Sequence, residues 1–182
     1  MAERSVGLIV MTEIPGRGLV AVLRERGWWN FEKTKPLKWP GCSQATASGK
    51  LEEGEDFRDA LFREVREELG TDFTLRFNSH LDHNPAALVE VDRFQKGDME
   101  VVTYAVKLDC TLLGKIRLSP EAGCLRLVRQ EEVEDIHELH PDPDPELKKG
   151  QEANGVLDHG RKLIAMFPEV KQALGKAFAR FL

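Results

Sequence analysis

The chain has 182 residues, 41% hydrophobic and 31% charged, which is enough for one domain with a substantial core and too apolar for intrinsic disorder. A net charge of −5, with both signs spread along the chain, argues against coating of nucleic acid, and no nucleic-acid surface is expected. No apolar run approaches the ~20 residues of a membrane span, Met1 to Arg4 leads into no secretory stretch, and Cys42, Cys110 and Cys124 are odd in number and far apart. The expectation is a cytoplasmic protein with reduced thiols, no disulfide framework and no zinc site.

In chain order, Val6 to Thr12 and Leu19 to Leu23 are apolar stretches around Pro15-Gly16-Arg17-Gly18, the pattern of a β-hairpin. Gly27 to Pro40 is aromatic and basic and reads as a loop. Phe57 to Leu69 is the clearest helix, closed by Gly70. Ala86 to Phe94 and Glu100 to Leu108 flank Gln95-Lys96-Gly97-Asp98 as a second hairpin, and Leu125 to Val128 is a short strand. Gln130 to Ile136 is expected to form a short acidic helix. Pro141-Asp142-Pro143-Asp144-Pro145 is a rigid connector, and an amphipathic helical tail from about Asp158, broken at Pro168, completes a single domain over 1–182. Several strands pair locally, which favours a mixed α/β domain over a doubly wound parallel sheet.

The helix carries its charges in an unusual place. With Phe57 at zero and roughly 100° per residue, Leu61, Val65 and Leu69 fall at roughly 40°, roughly 80° and roughly 120° and define the core side. Glu64 falls at roughly 340° and Glu68 at roughly 20°, inside that apolar stripe, with Glu67 at roughly 280° on its flank. Asp59, Arg63 and Arg66 take the ordinary solvent side. An unpaired carboxylate near a core costs several kcal/mol, and three together raise one another's pKa. A hard divalent cation such as magnesium would relieve both, whereas an ordinary Glu-rich surface helix would not put Glu64 and Glu68 there.

The same segment resembles a known motif. From Gly49 the chain has Gly, five residues, Glu55, seven residues, then Arg63-Glu64-Val65-Arg66-Glu67-Glu68-Leu69-Gly70-Thr71. From Gly49 to Thr71 this is similar to the Nudix box, matching at every constrained position except the last, where Thr71 stands in place of an aliphatic residue. The resemblance implies a Nudix α/β/α sandwich around a mixed sheet. It implies Glu64, Glu67 and Glu68 as ligands of Mg2+ or Mn2+, and Arg63 as the group holding a glutamate in place. Glu55 would contact the metal site or brace the loop, with Gly49 and Gly70 as structural positions. For Glu52, Glu53 and Asp56 the plain preference of acids for a helix N-terminus suffices. The implied reaction is hydrolysis of a nucleoside diphosphate derivative, a small-molecule partner.

The implied reaction also needs a base, and Glu121, before the Leu125 strand, is the expected one, with Glu90, Asp92, Glu100 and the box glutamate Glu67 as rivals and an exposed loop acid as the plain alternative. Arg24, Arg26, Trp28, Trp29 and Lys50 are the expected substrate contacts, against the plainer alternatives of solvated cations and loop-anchoring aromatics. Upstream, Trp39-Pro40-Gly41, Thr46 and Gly49 resemble the spacing of isopentenyl diphosphate isomerases and their hydrolase relatives. Ser48 and Lys50 replace the cysteine and histidine that isomerisation would use, so that activity is not expected. The other alternative is a Nudix-like module that binds nucleotide without turnover. Spacings at His80, Asp82 and His83, and at His137 and His140, lack a third strong ligand and predict no zinc. A homodimer is compatible with this reading.

Overall fold

The computed structural model describes residues 3–31, 33–139, 157–158, 161–162 and 165–182. The first hairpin forms as expected and longer, from strands β1 (Glu3–Ile14) and β2 (Gly18–Arg26). A two-residue ladder, β3 (Trp29–Asn30) with β4 (Lys35–Pro36), gives the aromatic-basic loop a hairpin of its own. β5 (Ser43–Gln44) and β6 (Ala47–Lys50) lead into helix α1 (Phe57–Leu69). Asp56 caps α1 by accepting from the amides of Arg58 and Asp59 at 2.8 and 2.9 Å. Gly70, at φ +85, closes α1 and opens a second helix, α2 (Thr71–His83), which the sequence reading does not anticipate. Its signal is present: Phe73, Phe77 and Leu81 recur every four residues and are all buried.

The second hairpin is β7 (Val89–Lys96) with β8 (Met99–Lys107), followed by β9 (Ala122–Arg129). The acidic helix expected over Gln130 to Ile136 reduces to a 3-10 turn at Gln130–Glu132. Glu132 bends back to accept from the Arg129 amide at 2.8 Å, and a segment this short cannot repay helix nucleation. The chain then enters β10 (His137–Glu138); the proline connector lies outside the described residues. β11 (Leu157–Asp158) pairs with β12 (Arg161–Lys162), and β13 (Ala165–Met166) pairs with β10. The last helix, α3 (Pro168–Phe181), begins at Pro168 rather than breaking there, because proline lacks an amide the first helical turn does not need.

β1 is the spine of the mixed sheet. It runs parallel to β8 on one side and antiparallel to β6 and β2 on the other. β2 in turn pairs with β5 and β9. Strand alternation splits the core into two layers. Val6, Leu8, Val10, Val22, Val102 and Val106 face α1 and α2, while Ile9, Met11, Leu23 and Val128 face α3. The expected α/β/α sandwich is therefore formed, with the segment that read as a tail supplying one whole layer. Asp92 on β7 is buried and ties α3 down, accepting from the Gln172 amide group at 3.0 and 3.1 Å and from the Lys176 ammonium. Among the described residues no helix is long and apolar enough to cross a membrane.

Candidate active site

Alternation also places the site. Along β2, Val22 belongs to the layer under α1, so Arg24 and Arg26 continue on that face, toward the C-terminal half of α1. Arg24 is buried, not solvated, and its guanidinium is ion-paired with Glu68. The second Glu68 oxygen accepts from the Ser48 amide at 2.7 Å. Gln44 on β5 lies 3.4 Å from the other end of Arg24.

Arg63 organises the rest. Its Nε and one terminal nitrogen grip Glu55 at 2.8 and 2.9 Å, a bidentate pair, and that same nitrogen donates to the Lys50 carbonyl at 2.8 Å. Its other terminal nitrogen reaches Glu64 at 2.7 Å and Glu67 at 3.4 Å. Glu55 also accepts from the Glu52 amide at 2.8 Å, so both its oxygens are held within the loop before α1. The Arg63 hydrogen bonds, then that amide, pull Glu55 down to about 2. It is a brace, not a base. Gly49 is required beside this cluster, since a Cβ there would overlap the Glu64 carboxylate.

Burial works on Glu64 and Glu68 in the opposite sense. Desolvation raises Glu64 above the usual carboxylate range against the pull of Arg63, and pushes Glu68 to about 7 against that of Arg24. The sequence geometry expects a cation as the compensating charge; the fold supplies an arginine to each instead. Those arginines are outnumbered, because Glu55, Glu64, Glu67 and Glu68 face Arg24 and Arg63. Among the described residues no three carboxylate, imidazole or thiol groups form a ready-made metal cage. The donors that do converge are all carboxylate oxygens, and Glu64 and Glu67 already share one Arg63 nitrogen. That chemistry fits magnesium, which keeps several waters and needs only one or two protein carboxylates.

Next to Glu68 opens a cleft of about 200 Å³, lined by Arg24, Arg26, Gln44, Ser48, Ser119 and Glu121 among others. Two arginines, Arg24 and Arg26, in one small cleft make it attractive to an anion, and their Nε–H groups are buried without hydrogen-bond partners among the described residues. Glu121 reaches the cleft because its loop is clipped at both ends. The amides of Arg117 and Ser119 donate to the Leu69 and Glu68 carbonyls at the end of α1, at 2.8 and 3.2 Å. The Gly27 amide donates to the Glu121 carbonyl at 2.8 Å, and a Cβ at Gly27 would sit 2.6 Å from that oxygen. Rival bases are occupied elsewhere: Glu90 and Glu100 bind Arg93, and Asp92 binds α3.

Of the other expected contacts, Trp28 and Trp29 stand exposed at the small hairpin, as does Phe31. The hairpin is rooted at the cleft, for the Leu37 amide donates to the Trp28 carbonyl and Leu37 lines the cleft wall. Lys50 does not reach the cleft; its ammonium lies 2.7 Å from Glu3 at the surface. Thr46 is structural, accepting from the Val10 amide at 2.9 Å and donating to the Val22 carbonyl. Sequence reasoning misses Gln44, Ser48, Ser119 and Gly27, each placed by backbone geometry that no local pattern encodes. Cys42, Cys110 and Cys124 form no disulfide among the described residues, and burial pushes the Cys42 thiol up to about 11.

Comparison with known proteins gives concordant results. No curated protein matches this chain. Among solved structures, the NUDIX domain of Shewanella oneidensis NrtR complexed with ADP ribose superposes with a TM-score of 0.55 at 10% identity, covering 100% of this chain and 90% of that one. A C. elegans Ap4A hydrolase gives 0.50 at 14% identity, covering 98% and 96%. A mutT/nudix family protein from Listeria innocua gives 0.51 at 20% identity, covering 72% and 82%. The model of the NUDIX domain matches residues 1–150, and the chain belongs to that family.

Proposed function

We propose that this protein is a divalent-cation-dependent pyrophosphohydrolase that cleaves a diphosphate bond in a nucleoside diphosphate derivative. The observation that carries the reading is the shared position of two opposite sets of charge. Glu68 stands at the junction, ion-paired with Arg24 and lining the cleft that Arg24, Arg26 and Glu121 also line. Glu64, Glu67 and Glu68 are the ligands we assign to magnesium or manganese, which when bound neutralises diphosphate charge and acidifies a coordinated water. Arg24 and Arg26, whose side chains line the cleft, take non-bridging phosphate oxygens. Glu121 accepts the proton of the attacking water as the new oxygen–phosphorus bond forms and the bond to the leaving phosphate breaks. Arg63 and Glu55 fix the loop and helix around the reacting centre.

Two structural relatives support the substrate class, since one was solved with ADP ribose and another is an Ap4A hydrolase. Trp28 and Trp29 are the contacts we assign to the outer part of the substrate. The resemblance to the isopentenyl diphosphate isomerase branch rests on spacing alone, and the hydroxyl of Ser48 is too weak an acid to protonate an alkene. The test is release of nucleoside monophosphate from nucleotide sugars, dinucleotide cofactors, nucleoside triphosphates and capped RNA with magnesium. Turnover that disappears in Glu64→Gln supports the reading. Tight binding without release from any of them would overturn it in favour of a binding module.

A further inference from the structure

We infer that the small hairpin β3–β4 docks a short single-stranded nucleic acid whose terminal phosphate enters the arginine cleft. The inference rests on the diphosphate reading of that cleft and names the class of the substrate's outer arm. Of the five large apolar side chains that the described residues leave exposed, three stand on this hairpin: Trp28 at 56%, Trp29 at 42% and Phe31 at 61%. They are not anchors. That task falls to Trp39, which packs edge-on against Phe167 with centroids 5.8 Å apart. Aromatic rings clustered in water mark a surface that another molecule covers.

Charge selects that molecule. Residues 27–38 hold three lysines against one glutamate, in a chain whose net charge is −5. Lys33, Lys35 and Lys38 are all exposed, and none is ion-paired with a described residue. The turn that carries them is fixed: the Lys33 amide donates to the Asn30 side chain at 2.5 Å, and Thr34 takes φ +47. Rings interleaved with ammonium groups match an unpaired nucleic-acid strand, in which every base has a face to stack and every nucleotide brings a phosphate. A duplex hides those faces, and an acidic peptide lacks them. The negative charge of the whole chain disfavours general coating of nucleic acid, not a local track of this kind.

The hairpin also begins where the phosphates would sit. Arg26 and Leu37 line the cleft, and the Leu37 amide donates to the Trp28 carbonyl at 3.0 Å. The ladder continues with Trp29 opposite Pro36 and Asn30 opposite Lys35. Trp28 is thus the cleft end of the hairpin, and Phe31 and Lys33 belong to its far turn. From Trp28 to Phe31 is about 10 Å of strand, which about three nucleotides cover at about 3.4 Å each. This continuity favours a nucleic acid over an anionic lipid surface, which would cap the cleft instead of reaching into it.

Calorimetry with a chelator present can compare 5′-phosphorylated oligoadenylates of one, three and six nucleotides. The trimer should bind at least about tenfold more tightly than AMP, and the hexamer no more than about threefold more tightly than the trimer. Removing the 5′ phosphate of the trimer should cost at least about tenfold. Phe31→Ala should weaken the trimer at least about fivefold while AMP and inorganic pyrophosphate stay within about twofold, and Phe31→Trp, which keeps a ring, should restore it. Lys33→Ala should lower the slope of log affinity against log salt by about 0.7. Both side chains are exposed, so these variants should unfold at the temperature of the wild type. The inference is overturned by a trimer that binds no better than AMP, by a trimer indifferent to Phe31→Ala or to loss of its 5′ phosphate, or by a blunt RNA duplex that binds as tightly as the hexamer. Capture by vesicles of phosphatidylcholine and phosphatidylserine with no trimer preference would assign the hairpin to a membrane surface instead. Hydrolysis is scored separately. A trimer preference without any diphosphate cleavage would sink the proposed function and keep the dock, and cleavage without the preference would do the reverse.

Discussion

Replacing Glu68 by Gln should make the metal-free protein more stable while disabling the enzyme. In the fold the Glu68 carboxyl rises from 4.5 to about 7, chiefly by desolvation, with Arg24 and the Ser48 amide pulling the other way. A raised folded value means that the folded state binds the proton more tightly than the unfolded chain. Below 4.5 both states are protonated and no penalty exists. Between 4.5 and about 7 the unfolded chain ionises first, and stability falls with rising pH. Above about 7 the penalty is constant at about 3 kcal/mol, from roughly 1.4 kcal/mol per pKa unit. Glutamine keeps the shape and can still accept from Arg24 and Ser48, so the variant escapes this penalty. Urea unfolding with a chelator should give equal stabilities near pH 4 and a variant more stable by about 3 kcal/mol at pH 8, with the same denaturant slope. Turnover with magnesium should drop by about a hundredfold or more. A variant less stable than wild type at pH 8 would mean that the Arg24 ion pair outweighs desolvation, and the reasoning would fail. A pH-independent difference would refute it equally.

Three further outcomes follow from the geometry. Magnesium should raise the melting temperature by mass action, and Glu64→Gln should remove most of that rise; identical shifts in both proteins would place the metal elsewhere. Glu121→Gln should lower turnover about 10²–10⁴-fold with no change in the magnesium concentration required, whereas a rate within about threefold of wild type excludes an essential base. Gly49→Ala forces the Glu64 carboxylate aside, so turnover should fall by about tenfold or more in a chain that still unfolds cooperatively; unaltered kinetics would show that Glu64 is free to move without consequence.

The helix face was legible in advance because it depends on one periodicity. Glu64 at 8% exposure and Glu67 on the outside stand where roughly 100° per residue puts them. What compensates them was not legible. Arg24 lies on β2, far upstream of Glu68, and meets it only because strand alternation and sheet order bring that face under α1. The same limit hid the Ser48 amide and the Gly27 contact, which are backbone encounters between distant segments. Glu121 could be guessed from its loop, yet only the structure disposes of Glu90, Asp92 and Glu100 by showing their partners. α2 was missed because Gly70 reads as a stop, whereas at φ +85 it both ends one helix and starts another. The 3-10 turn at Gln130–Glu132 marks the converse error, a good local composition on a segment too short to hold a helix.

The central place of β1 has a consequence for the order of events during synthesis. Residues 3–11 pair in parallel with 99–107, so β1 lacks one neighbour until about a hundred more residues have been made. At about 5–20 residues per second that wait is on the order of 5–20 s. β2 and β6 can join β1 earlier, but its apolar faces, Val6, Leu8 and Val10 on one side and Ile9 and Met11 on the other, need α1, α2 and finally α3 to cover them. The nascent chain therefore carries an apolar strand uncovered through that interval, and α3, made after every strand of the sheet, seals the second face.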